Sequence, residues 1–95
     1  MGTAPSIPDD IYHKWLDIAL EDCPPPHYAL LGLPIYETDV GKIERAASER
    51  TKIVRPRCLK HREIGTELLN QLAKARVCLT DSDRKSEYDA ALRNR

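Results

Sequence analysis

The chain has 95 residues, 41% apolar and 32% charged, with four Tyr, one Trp and no Phe. That length supports a single domain, because two halves would each lack the core to fold alone, and the composition is that of a globular chain with an aliphatic, helix-prone core. No apolar run approaches the roughly 20 residues that span a bilayer, no secretory signal is present, and four glycines leave no Gly-rich phosphate loop.

Residues 1–8 carry Pro5 and Pro8 without periodicity and read as a flexible tail. Met1-Gly2-Thr3-Ala4-Pro5-Ser6 matches an N-myristoylation pattern, but six residues are too few to assign a lipid. Residues 9–26 form the next unit, an N-terminal helix and a proline spacer. Asp9 and Asp10 supply cap and charge for a helix to about Leu20, with a face of Ile11, Trp15 and Ile18 and with Leu16 and Leu20 beside it. Pro24-Pro25-Pro26 then stiffens the chain.

Residues 27–95 read as the main helical domain. His27 to Gly32 makes a turn or two of helix, stopped by Gly32 and Pro34. Thr38 or Asp39 caps a helix to about Val54, with Val40, Ile43, Ala47 and Val54 on one face. Pro56 disfavours helical geometry at Arg55 and ends it there. A second long helix, about Glu63 to Leu79, carries Leu68, Leu69, Leu72, Ala75 and Leu79. Two amphipathic helices joined by a short loop fold back antiparallel to bury both stripes. Thr80 to Asp83 is a turn and cap, and a last helix to about Leu92 presents Tyr88, Ala91 and Leu92.

Charge is balanced overall but not locally. Residues 1–49 hold nine acids against three bases, whereas residues 50–62 hold Arg50, Lys52, Arg55, Arg57, Lys60 and Arg62 and no acid. Such a cluster, together with Pro56, suggests a surface that docks something acidic. The competing reading is that these side chains only solvate a loop. Nucleic-acid binding is a further alternative, disfavoured because no aromatics are interleaved and the neighbouring segments are acidic.

Little supports catalysis or metal binding. Cys23-x₃-His27 and Cys58-x₂-His61 can be drawn as a zinc set, but the spacing matches no established finger, and no metal or cofactor is expected. Cys58 lies among cations that favour a thiolate, yet the sequence pins no base beside it. Paired catalytic carboxylates and a nucleophile elbow are missing, so the chain is read as a non-enzyme. Three cysteines, Cys23, Cys58 and Cys78, without a C-x-x-C pair fit a reducing cytoplasm, with Cys78 as a small core residue.

The order Tyr28-Ala-Leu-Leu-Gly-Leu-Pro, an Asp-capped helix, then a leucine-striped helix ending Leu79-Thr-Asp-Ser-Asp-Arg-Lys-Ser-Glu-Tyr88-Asp89 resembles a J domain, the helical module of DnaJ-type co-chaperones. The likeness covers about Tyr28 to Leu92 and runs without a gap from Ile43 to Asp89. The N-terminal Tyr12-His-Lys-Trp15-Leu and Pro-Pro-Pro-His-Tyr stretches look like J-like modules near the start of larger planctomycete proteins, which implies a domain excised from a longer chain. The resemblance implies an all-α fold built on an antiparallel hairpin. It also implies a DnaK-type chaperone as a partner. The family's His-Pro-Asp signature, required to stimulate chaperone ATP hydrolysis, falls on Arg55-Pro56-Arg57, where only the proline is kept. Ala47 and Arg76 stand where the family usually has Tyr, and Trp15 is expected to pack against the body to refill that volume.

The resulting expectation is a non-enzymatic protein–protein interaction module derived from a J domain. It docks through residues 50–62, without stimulating a DnaK-type chaperone and without membrane contact. Its partner is either such a chaperone or the rest of a parent protein. A divergent but working co-chaperone and a nucleic-acid-binding helical domain are the alternatives.

Overall fold

The structure, a computed structural model, describes residues 7–19 and 25–94. The readings of Leu20, Cys23, Pro24 and the Met1–Ser6 pattern lie outside the described residues. All the regular structure described is helical: α1 (Asp9–Leu16), α2 (His27–Leu31), α3 (Val40–Val54), a 3₁₀ turn (Arg55–Leu59), α4 (Arg62–Thr80) and α5 (Ser82–Arg93). Among the described residues no helix is long and apolar enough to cross a membrane.

The first helix departs most from expectation. Its cap position is Pro8, which offers no side-chain acceptor, so Asp9 and Asp10 are its first helical residues rather than its cap. Asp10 instead pairs with Lys14 one turn on, at 3.4 Å. The helix stops at Leu16 because Asp17 turns left-handed (φ 57°), with the amides of Asp17 and Ile18 donating to the carbonyls of His13 and Tyr12. Tyr12 and Leu16 carry the buried face, while Ile11 and Trp15 flank it half-buried. Ile7, placed in the tail by its neighbouring prolines, is 6% exposed and joins the core.

The two long helices behave as their stripes dictate. Ile43, Ala47 and Val54 of α3 and Leu68, Leu72, Ala75 and Leu79 of α4 are all buried, and Leu69 is half-buried at the edge. Val40, placed on the same face by its spacing, is instead 49% exposed. Of the two candidate caps it is Asp39 that accepts the Lys42 amide, at 3.1 Å, while Glu37 accepts the amides of Thr38 and Asp39. Glu44 meets Arg76 near one end of the pair and Cys58 meets Gly65 near the other, so the helices fold back on each other.

α2 ends in a Schellman motif. Gly32 is left-handed (φ 75°), its amide reaches Ala29 O, and the Leu33 amide reaches Tyr28 O. The Arg50 guanidinium lies where a Gly32 side chain would stand, only 2.5 Å from the site of a Cβ. Tyr36 is also left-handed (φ 66°), at the third position of a turn in which the Glu37 amide donates to Pro34 O. Its ring is held edge-on to Tyr28 and lies under Arg93.

α5 is attached by polar contacts. Asp81, the lone residue between α4 and α5, caps α5 through the amides of Asp83 and Arg84. Asp89, 8% exposed, accepts from the Tyr28 hydroxyl (2.5 Å) and from Lys85 (2.8 Å). The His27 amide, one of the N-terminal donors that α2 cannot satisfy itself, donates to the Tyr88 hydroxyl at 2.8 Å, and the His27 ring stacks on Tyr88. Ala91, expected to face inward, is exposed, because turning Asp89 toward Tyr28 rotates it out. Cys78 is half-buried, with its thiol near Arg84 O (3.8 Å), and burial pushes that thiol's pKa up.

Burial works against the Asp89 anion, but hydrogen bonds from Lys85 and Tyr28 outweigh it and hold the carboxyl below its usual range. The same contact with Asp89 raises Lys85, while burial and then the Asp89 contact push Tyr28 up to about 12. A depressed carboxyl stabilises the fold above its unfolded pKa of 3.8, and that stability is lost as pH falls through the folded value. Raised Lys85 and Tyr28 favour the fold at lower pH and weaken it as pH climbs past their unfolded values of 10.5 and 10.0. Chemical denaturation should therefore show a plateau between the two limbs. Asp89→Asn should lower that plateau by about 1–3 kcal/mol and flatten the acid limb; an acid limb unchanged in the variant would place the titrating carboxylate elsewhere.

Gly65 is buried in α4, and a Cβ there would lie 2.4 Å from Cys58 Sγ and 3.1 Å from Cys58 Cα. The roughly 1 kcal/mol of helix propensity that alanine adds is smaller than the roughly 1–3 kcal/mol of overpacking. Gly65→Ala should lower the denaturation midpoint, and adding Cys58→Ala should recover part of the loss. A midpoint that rises in the single variant would contradict the close approach.

Candidate docking surface at the basic turn

α3 ends at Val54, as expected, but the chain beyond it stays helical. Arg55 keeps helical geometry (φ −50°, ψ −49°), and α3 passes directly into the 3₁₀ turn. The restriction that proline imposes on its predecessor is a preference, and Pro56 falls at the start of the new turn, where its missing N–H costs little. Residues 55–59 are therefore ordered helix rather than a loop, and α4 follows after only Lys60 and His61.

The six cations do not act as one group. Arg50 is half-buried, and its Nη1 donates to Leu16 O at 3.0 Å, closing the left-handed end of α1 onto α3. Burial lowers its pKa, opposed by Asp17. Arg57 is exposed but folds back, donating to Ile53 O at 2.8 Å near the carboxyl end of α3, with its guanidinium 5.8 Å from the centre of the Trp15 ring. Lys52, Arg55, Lys60 and Arg62 are exposed and form no salt bridge among the described residues; Pro56 is exposed with them.

Leu59 sits among these charges and is 90% exposed, the most exposed of the large apolar side chains described. The sequence reading passed over it, although the signal was present: Leu59 falls between the two helical stripes and belongs to neither. An isolated exposed leucine is ordinary, but Leu59 stands in a stretch whose Arg55, Arg57, Lys60 and Arg62 are exposed as well, so an apolar side chain is presented within a basic segment.

Trp15 packs half-buried against the turn, 5.8 Å from the His61 ring and beneath Arg57. It does not refill the space at Ala47 and Arg76. An open groove of about 460 Å³ remains there between α3 and α4, and Arg76 leans outward to Glu44 at 2.6 Å.

Among the described residues no group of three or more His, Cys, Asp or Glu could hold a metal ion. The Cys58 thiol lies against Gly65 and points to Val54 O (3.7 Å), with no hydrogen bond to His61 among the described residues. His27 is taken up by Tyr88 and His61 by Trp15. Comparison with protein-family models, curated proteins and solved structures finds no match to this chain. The site thus rests on its own geometry: an ordered cationic turn with an apolar point, fixed by Gly65 below and Trp15 beside it.

Arg57→Ala should remove a contact of about 0.5–1 kcal/mol from Trp15 and shift its emission toward the red while the chain stays folded. Emission identical to that of the unmodified protein would show that the guanidinium does not cover the ring.

Proposed function

We propose that this chain is a non-enzymatic protein-docking module of J-domain-like organisation, engaging its partner through the cationic turn and its exposed Leu59. The observation that carries this reading is Leu59 itself, 90% exposed at the end of the 3₁₀ turn in a stretch of exposed basic residues. Burying such a side chain in a partner contributes roughly 1.5–3 kcal/mol, and the basic residues of the same stretch steer an acidic surface toward it. The J-like reading is supported by the helix order and by the work done by Asp81, Lys85, Tyr88 and Asp89, which cap α5 and tie it to α2.

The same reading holds that a DnaK-type chaperone is not stimulated. Arg55 and Arg57 occupy the outer positions of the signature tripeptide. A donor-only cation replaces the aspartate acceptor, so a partner arginine there would meet repulsion instead of a bidentate pair. Arg57 is moreover held against Ile53 O and Trp15 by its own fold.

Single-turnover ATP hydrolysis by the source organism's DnaK-type chaperone should proceed at the same rate with and without the domain. A saturable acceleration would overturn this reading in favour of a working co-chaperone. In pull-downs from source-cell lysate, Leu59→Glu should release the proteins retained by the unmodified chain; retention of the same set by the variant would remove the turn as the docking point.

A further inference from the structure

A groove of about 460 Å³ lies open between α3 and α4. Its floor is aliphatic: Ala47 and Leu72 are buried there, and Leu69 and Ala73 line its α4 side. The opening arises because Ala47 is small and Arg76 leaves the seam to meet Glu44. The Thr51 hydroxyl is already bonded to Ala47 O at 2.8 Å, so it makes no polar demand on an occupant.

The rim is net positive. Glu44 is the one carboxylate among the lining residues and is matched by Arg76, which leaves Lys52 and Arg55 without a salt-bridge partner among the described residues. Arg55 is also the first residue of the 3₁₀ turn, so the groove runs into the docking surface without a break.

We propose that this groove seats an acidic amphipathic helix of the partner protein, with bulky apolar side chains on the floor and carboxylates toward Lys52 and Arg55. This rests on the docking reading above and adds to it the class of partner segment and the place of its anchor. A cleft between two packed helices is the shape into which a third helix lays its apolar face. A volume of about 460 Å³ takes one or two large side chains. Carboxylates answer the net positive rim, whereas a nucleic-acid strand would have no aromatic among the lining residues to stack on and would face an aliphatic floor.

The test is a phage-displayed library of helical peptides selected on the intact chain, followed by polarisation titrations of the selected peptides. Winners should combine Asp or Glu with Leu, Phe or Trp at helical spacing and should weaken as salt rises. Lys52→Glu with Arg55→Glu should weaken them by about tenfold or more, as like-charge contact does. Ala73→Glu, an exposed site whose melt should match that of the unmodified protein, should do the same. Winners that survive both variants but are lost on Leu59→Glu would overturn the groove and leave the turn as the docking point. Winners lost on none of the three would overturn both readings. An empty selection, winners without acids, or displacement by a single-stranded oligonucleotide would also overturn the groove proposal.

Discussion

The close approach of α4 to the end of α3 governs the rest of the structure. Because Gly65 carries no side chain, Cys58 can lie directly against α4, and the chain reverses through Arg55–Leu59 and two further residues. Lengthening that contact by a methyl group would push the two helices apart at the turn. The leucine stripe of α4 and the Ile43–Ala47–Val54 face of α3 would then lose their register. The same tight reversal leaves Leu59 with no core to enter. Its exposure follows from the geometry of the turn, while the basic residues beside it in sequence give it chemical meaning.

Charge in this turn has two uses that the side chains divide between them. Arg50 and Arg57 are structural: one closes α1 onto α3 through Leu16 O, and the other satisfies Ile53 O and covers Trp15. Long cationic side chains suit this because their stems pack while their heads reach backbone carbonyls. Lys52, Arg55, Lys60 and Arg62 keep their charge for the surroundings. α1 is thus part of what shapes the surface, since it fixes Arg57, while the other four cations have no salt-bridge partner among the described residues.

The far end of the molecule is held by different physics. α5 contributes little apolar face, and what attaches it is a buried carboxylate shared between Tyr28 and Lys85, with Tyr88 bonding the first amide of α2. A polar network of this kind is favourable only when every member is satisfied, and among the described residues no buried side-chain nitrogen or oxygen lacks a partner. The consequence is a fold whose turn end is held by packing and whose other end is held by charge.

The sequence by itself determined the helices and the greater part of the core. Stripes at helical spacing placed Ile43, Ala47, Val54, Leu68, Leu72, Ala75 and Leu79 inside, and Gly32 and Asp81 marked element ends, because periodicity and capping act within a few residues. It identified the cationic stretch as well, since charge counts do not depend on the fold. Only the tertiary structure decided which cations are held by the fold, because Leu16 O is 34 positions from Arg50 and no local pattern connects them. It alone turned α1 onto Tyr12 and Leu16 through the left-handed Asp17, drew Ile7 into the core, and buried Asp89 against Tyr28, 61 positions away. The groove and Leu59 are of the same kind: each is a statement about space between or beyond elements, and space is set by packing, which a one-dimensional pattern does not contain.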